Sequence, residues 1–210
     1  MPRQRTLTRD RVVRAALELI DRDGIDALSM RALGRSLGVE AMALYTHVRS
    51  KADLLDAVAV RILDELDLEL DRTMPWPQRI RRVVHAWAGL QERHPRSFVL
   101  VYRAGLRSGV VERVTEELLD ALRVAGFDEH GAALACETII VFVDGALVGR
   151  SSWTDHDLQS AWAQIASTAD PERYPRYAEV APHAARLTWK QILDSGLTLL
   201  LDGLRARLLP

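Results

Sequence analysis

Apolar residues recur at intervals of three and four along almost the whole chain, and no long stretch alternates apolar with polar residues. That periodicity predicts an all-α fold. Local punctuation marks where the helices begin and end. Thr8 is a good N-cap, and Val12, Val13, Ala16, Leu17, Leu19 and Ile20 then share one face as far as Asp23-Gly24, where glycine can take the left-handed conformation. Ser29 opens a second, short helix holding Leu33 and Leu37; Gly38 breaks it, and a third short helix spans about 40–46. Ser50 and Asp53 have capping-box spacing and open a long helix running towards Leu70. Met74-Pro75-Trp76-Pro77 is the clearest boundary, because two prolines prevent helix continuation. Beyond it the pattern predicts helices at about 77–93, 96–104, 109–125, 129–150 and 186–208. Ser151 to Ala185 reads as partly irregular, with a helix near 155–168.

Charge divides the chain more sharply than helix content does. Residues 1–51 hold ten Lys/Arg against six Asp/Glu, whereas 52–74 hold two against seven, although the whole chain has a net charge of −1. A basic first unit followed by an acidic segment points to a polyanion partner for the first unit alone. The other classes are excluded by composition. At 210 residues with 48% hydrophobic and 27% charged residues the chain is ordinary for a globular protein with a real core, neither disordered nor fibrous. The lone Cys136 forms no intramolecular disulfide or thiolate cage, which fits a reducing cytoplasm. MPRQRTLTRDR is too charged for a signal peptide, and no apolar run approaches the ~18–20 residues of a membrane helix. These features predict a cytoplasmic protein with no membrane partner.

Residues 29–47, SMRALGRSLGVEAMALYTH, have the proportions of two short helices joined by a glycine-containing turn, which leaves the second helix free to project. At ~1.5 Å per residue that second helix is short enough to enter a major groove ~12 Å wide. Val39, Leu44 and Val48 can anchor it, leaving Ala41, Met42, Ala43, Tyr45, Thr46 and His47 outward or at its rim.

Residues 8–62 resemble the TetR family of transcriptional regulators. The resemblance is carried by Gly24-Ile25-Asp26-Ala27-Leu28-Ser29-Met30-Arg31, by Leu37-Gly38-Val39-Glu40 and Leu44-Tyr45-Thr46-His47-Val48, and by Lys51-Ala52-Asp53-Leu54-Leu55. It implies an N-terminal three-helix, helix-turn-helix DNA-binding domain over 1–53 and a larger helical body, 54–210, for ligand binding and dimerisation. It also implies a homodimer on a palindromic operator, most simply a repressor loosened by a small-molecule effector. Carried over residue by residue, it gives Arg31 a base or phosphate contact. Ala41, Met42 and Ala43 become the surface facing the bases; Tyr45, His47 and Lys51 hold the DNA backbone. Arginine suits guanine, and lysine, tyrosine and histidine suit phosphate. Because Ala41, Met42 and Ala43 are apolar where relatives often carry hydrogen-bonding groups, specificity here falls to methyl contacts, Thr46 and Arg31.

Residues 132–148 are apolar almost all round, and Ile192, Leu193, Leu197, Leu200, Leu201, Leu204 and Leu208 form a broad stripe near the end. The TetR resemblance implies that the helices at about 129–150 and 186–208 of two subunits form a four-helix dimer interface, with intramolecular core as the alternative; Gly196 and Gly203 share a face that another helix can approach. The body resembles the tetracycline-repressor branch through Leu122-Arg123-Val124-Ala125-Gly126-Phe127, Gly196-Leu197 and Leu201-Asp202-Gly203-Leu204. Aligned on Gly126-Phe127, Tyr102 stands where that branch has a histidine ligand for its drug-bound magnesium. Tyrosine is a poor magnesium ligand, so no metal or cofactor is expected. Trp87, His85 and Phe98 are candidates to line an effector cavity, with Tyr102, Arg103 and Asp144 as polar contacts. Trp153, Trp162 and Trp189 are candidates for a lid.

No HExxH, P-loop, GxSxG or GxGxxG pattern occurs. Asp155-His156-Asp157 reads as a solvated loop and Cys136 as a small buried hydrophobe, so no catalytic residue is expected. The remaining alternative is a helical small-molecule-binding protein whose N-terminal module grips a protein instead of DNA.

Overall fold

The computed structural model describes residues 6–68, 71–104 and 109–208, with the backbone alone for Arg103 and Ala104. Among the described residues there are eleven α-helices, one 3-10 turn (Ile25–Ala27) and no strand. The helices are α1 (Arg9–Asp23), α2 (Met30–Leu37), α3 (Ala41–Leu44), α4 (Lys51–Leu63), α5 (Trp76–Arg93), α6 (Val99–Ala104), α7 (Val110–Ala125), α8 (Glu129–Ser152), α9 (Asp155–Thr168), α10 (Pro175–Ala184) and α11 (Trp189–Ala206). They form two compact units. The first comprises the described residues up to 68 with Arg82–Glu117; the second comprises Asp71–Arg81 with the described residues from 118 onward.

In the first unit α1 packs against α2 and α4, α2 against α3, and α4 against α6. The α1 face read from the sequence is buried, together with Leu28, Leu33, Leu44, Val48, Leu54, Val58 and Ile62. Thr8 caps α1 by accepting the Arg11 N–H (3.2 Å). Gly24 ends α1 at φ 89°, ψ 165°, a positive φ but not the left-handed helical conformation expected. Helix α4 is shorter than its pattern suggests: it stops at Leu63, before tight turns at Glu65 and Leu66. The reason is burial at spacing two. Leu66 and Leu68 are both buried while Asp67 is exposed, an alternation that a 3.6-residue period cannot provide. Glu69 and Leu70 lie outside the described residues.

In the second unit α8 packs on α11 and α9 on α10. Arg79, almost fully buried, pairs with Asp120 at 2.5 Å, and Arg81 donates to the Thr198 hydroxyl at 2.9 Å. Helix α10 runs through a stretch the sequence left irregular. Pro175 is tolerated because the first turn of a helix has no amide bond to lose, and Pro182 lies on the exposed side, opposite the buried Ala181 and Ala184. Helix α8 also corrects the sequence reading of apolar runs, being long and apolar enough by length and composition to cross a membrane. Its Ala132, Ala135, Cys136, Ile139, Val143 and Leu147 are nonetheless buried. The close approach at Gly196 is made within the chain, by the Phe142 ring, whereas a Cβ at Gly203 would meet open space.

Candidate nucleic-acid interface

Short-range devices build the helix-turn-helix. Ser29 caps α2 by accepting the Ala32 N–H (3.1 Å), and Gly38 ends it at φ 69°, a left-handed conformation that glycine adopts without cost from a side chain. The turn then passes so close to α2 that a Cβ on Gly34 would lie 2.7 Å from the Val39 carbonyl oxygen. Leu33, Leu44 and Val48 are buried, anchoring the inner side, while Val39 is half-buried. The expected third helix is only the four residues Ala41–Leu44, followed by turn residues 45–47.

With its inner side held, the segment 41–47 of α3 and its following turn points its remaining residues outward. Met42 is 75% exposed, Tyr45 and Thr46 are exposed, and Ala41, Ala43 and His47 are half-buried. Arg31 on α2 and Lys51 at the start of α4 are exposed. The Thr46 hydroxyl donates to the Ala43 carbonyl (2.7 Å), so towards a ligand it offers its oxygen as acceptor. The result is a short apolar ridge followed by a phenol and an imidazole, with two exposed cations on the helices before and after it. Such a surface can meet thymine methyl groups and hold phosphates.

The α3–α4 junction depends on two residues that the sequence did not single out together. Arg9, the first residue of α1, donates to the His47 carbonyl (2.8 Å) and to both Asp53 carboxylate oxygens (3.2 and 3.0 Å). Asp53 also accepts the Arg49 N–H (2.8 Å), and its own N–H donates to the Ser50 hydroxyl (3.1 Å). Only the Ser50 half of the expected capping box therefore forms, because the carboxylate that would complete it is taken by Arg9 and Arg49. The Arg9 hydrogen bonds and the Arg49 amide hold the Asp53 carboxyl at about 2, against an ordinary 3.8. A depressed carboxyl stabilises the fold above its unfolded value and loses that effect as pH falls. Thermal midpoints of wild type and Asp53→Asn should differ by a constant small amount near neutrality. The gap should close as pH drops from about 4 to about 2. A gap that instead changes between about pH 6 and 8 would contradict this assignment.

A second polar cluster joins α1 to the turn between α5 and α6. His94 Nδ1 lies 2.7 Å from an Asp21 carboxylate oxygen and its Nε2 lies 2.9 Å from Glu65, while the Ser97 hydroxyl donates to Asp21 (2.5 Å). Burial works to raise the Glu65 carboxyl, but the His94 hydrogen bond, with Arg61 and Arg93, outweighs it and holds the group below its usual value. Residues 29 and 73 positions apart make these contacts, so no local pattern announced them.

Of the effector candidates, Trp87, Phe98 and Tyr102 come together in the first unit. Phe98 is fully buried and packs edge-on against both other rings, at 6.0 and 5.5 Å between centroids. The Arg103 side chain lies outside the described residues, His85 is exposed, and Asp144 is half-buried on α8 in the other unit. The three candidate lid tryptophans meet different neighbours. Trp162 packs with Tyr177, Trp189 lies against Gly149, and Trp153 is exposed. Asp155 and Asp157 are not in a loop but in the first turn of α9, where Asp157 completes a capping box with Thr154 and Asp155 accepts the Trp189 N–H (2.7 Å). Burial pushes the Cys136 thiol up to about 11, keeping it protonated and unreactive at neutral pH. Among the described residues no cluster of three or more His, Cys, Asp or Glu is arranged to hold a metal.

The family model for bacterial regulatory proteins of the tetR family matches residues 12–58, and that for the tetracyclin repressor-like C-terminal domain matches 71–208. The chain is 32% identical over 209 residues to tetracycline repressor protein class A from transposon 1721 of Escherichia coli, covering 93% of this chain and 89% of that protein. Its fold is similar to that of the Streptomyces coelicolor TetR family protein ActR in complex with (S)-DNPA, with a TM-score of 0.74, 25% identity and coverage of 95% and 98% of the two chains. It is likewise similar to BioQ bound to its double-stranded DNA operator, with a TM-score of 0.66, 28% identity and coverage of 96% and 99%.

Proposed function

The chain belongs to the tetR family of bacterial regulatory proteins, and we propose that it is a homodimeric transcriptional repressor released from a palindromic operator by a small-molecule effector. Residues 1–53 bind DNA, and 54–210 dimerise and take the effector. The observation that carries this reading is the outward side of α3 and of the turn that follows it. Met42, Tyr45 and Thr46 are exposed, as are Arg31 and Lys51, on the basic part of a chain that is otherwise acidic or balanced. Ala41, Met42 and Ala43 face the bases with Thr46 and Arg31; Tyr45, His47 and Lys51 grip phosphates. BioQ, a similar chain, is known bound to its DNA operator.

Dimerisation is supported by apolar side chains with nothing over them. Leu134, Val141 and Val148, seven residues apart along α8, and Leu199 on α11 are all at least half exposed. The effector site is supported by the Trp87–Phe98–Tyr102 ring set of the first unit and by the complex of ActR with (S)-DNPA. A regulator of this kind works in the cytoplasm, and the apolar α8 is then a bundle helix covered by a second copy.

The mechanism follows from α4 being packed on α6. An effector that shifts α6 moves α4, and with it the recognition surface. Two half-sites on one face of DNA demand a spacing of about 34–36 Å, so a displacement of a few ångströms prevents simultaneous docking. A coupling of about 1–3 kcal/mol gives roughly 5–150-fold release.

The test is a titration of purified protein with the DNA upstream of its own gene at two salt concentrations. Affinity should fall steeply with salt. Lys51→Ala with Tyr45→Phe should weaken binding to every sequence and lower the salt slope by about one. Unchanged affinity in that variant would remove these residues from the DNA surface. Salt-insensitive binding would point to a protein partner instead.

A further inference from the structure

We infer that Arg9 and Asp53 form a positioning clamp that holds the phosphate-gripping segment 45–51 in its DNA-binding shape, without either side chain touching DNA. This inference rests on the DNA-binding reading above. Helix α3 has only four residues, and its N-cap, Glu40, makes no side-chain capping bond. So short a helix does not hold itself together; neighbouring contacts must define it. Leu44 and Val48 anchor the inner side of this segment, but Tyr45, Thr46, Arg49 and Ser50 are exposed along the outer side. The outer side is tied by one charged knot. The Arg9 guanidinium spans both oxygens of Asp53 and also binds the His47 carbonyl, while Asp53 takes the Arg49 amide. Three consecutive pieces of the DNA surface are thereby referenced to one carboxylate: the end of the α3 turn at His47, the loop at Arg49 and the first turn of α4.

The planar, bidentate geometry is what makes the knot directional. A lysine would supply the same charge but not the fork that fixes both oxygens and a carbonyl at once. The pair is also partly solvent-exposed, with Arg9 at 50% and Asp53 at 27%, so it adds little to overall stability. Its effect is on placement, which governs how well several phosphate contacts form together.

This separates the clamp from a direct phosphate contact by Arg9. Asp53→Asn removes a negative charge from the DNA-binding side. If charge alone mattered, binding would tighten. If the clamp positions the loop, binding weakens. Arg9→Lys keeps the cation but loses the fork, so a phosphate contact would survive it and the clamp would not.

The experiment measures the affinity of full-length wild type, Arg9→Lys, Asp53→Asn and the double variant for a mixed-sequence duplex at low salt and for the DNA upstream of the gene. Thermal unfolding of each is followed alongside. Each single variant should bind both duplexes about tenfold more weakly with a near-wild-type unfolding midpoint, and the double variant should be no weaker than either single one. Wild type that binds with either single variant at wild-type affinity or tighter overturns the clamp alone. Additive losses in the double variant overturn it as well. Wild type that binds neither duplex at low salt overturns the DNA-binding reading, and the clamp with it.

Discussion

Introducing glutamate at both Val141 and Leu199 is expected to convert the protein to a monomer and to weaken operator binding by about a hundredfold or more, because the second half-site is then no longer held at high effective concentration. Both residues are apolar and strongly exposed, at 69% and 72%. Val141 lies midway between Leu134 and Val148 at heptad spacing, and on a straight helix such residues drift only about 20° per step, so they make one stripe. The opposite side of α8 is already used by its own chain, through Ala132, Ala135, Cys136, Ile139, Val143 and Leu147. Near α11 the stripe continues into a groove lined by Phe127, Leu134, Leu199, Leu200 and Leu204. Exposed apolar side chains of this kind on a water-facing helix are where the proposed interface lies. Two carboxylates buried there without partners cost more than the interface can offset. Light scattering should report the mass of one chain, circular dichroism should retain the helix content, and operator titration should show the loss. A variant that stays dimeric would move the interface away from α8 and α11.

The second large effect is expected at Gly34. Replacing it with valine should destabilise the helix-turn-helix by about 2–3 kcal/mol and abolish DNA binding while leaving the oligomeric state unchanged. A Cβ there would sit 2.7 Å from the Val39 carbonyl oxygen and 3.2 Å from the Ala41 amide nitrogen. Both are backbone atoms, so no side-chain rotation relieves the clash. The bond from the Val39 N–H to the Gly34 carbonyl (2.9 Å) must lengthen as the turn is pushed away from α2. Helix propensity works the other way, since glycine inside a helix costs about 1 kcal/mol relative to alanine. A Gly34→Ala or Gly34→Val protein with a raised unfolding midpoint and intact DNA binding would show that the close approach is not what shapes the module.

The legible parts of this fold are those written between near neighbours. Thr8 and Ser29 cap the helices they begin, through amides three residues away, and the α1 core face follows from its spacing alone. Pro75 marks the break before α5 and Pro77 stands in its first turn, for the same local reason. The boundary of α4 was not legible, because what ends that helix is the burial of both Leu66 and Leu68, two residues apart. Helix α10 was obscured by prolines that are damaging in a helix interior but tolerable at its first turn and on its exposed side. The capping box at Ser50 and Asp53 was half right: the local hydroxyl bond forms, and a distant arginine takes the carboxylate.

The same division runs through the DNA-facing module. Residue type and spacing along one short stretch were enough to predict a helix-turn-helix with Tyr45 and His47 outward or at its rim, since a helix presents every third or fourth residue on one side regardless of what lies beyond, whereas Arg31 and Lys51 were nominated only by the resemblance to the TetR family. The Arg9–Asp53 pair, 44 residues apart, and the His94 bridge to Asp21 and Glu65 exist only once the chain has closed on itself. Periodicity and capping are properties of a few consecutive residues and survive in any context. An ion pair across the fold depends on distance and orientation that only the packed helices supply, and so the tertiary structure alone decided how the recognition segment is held.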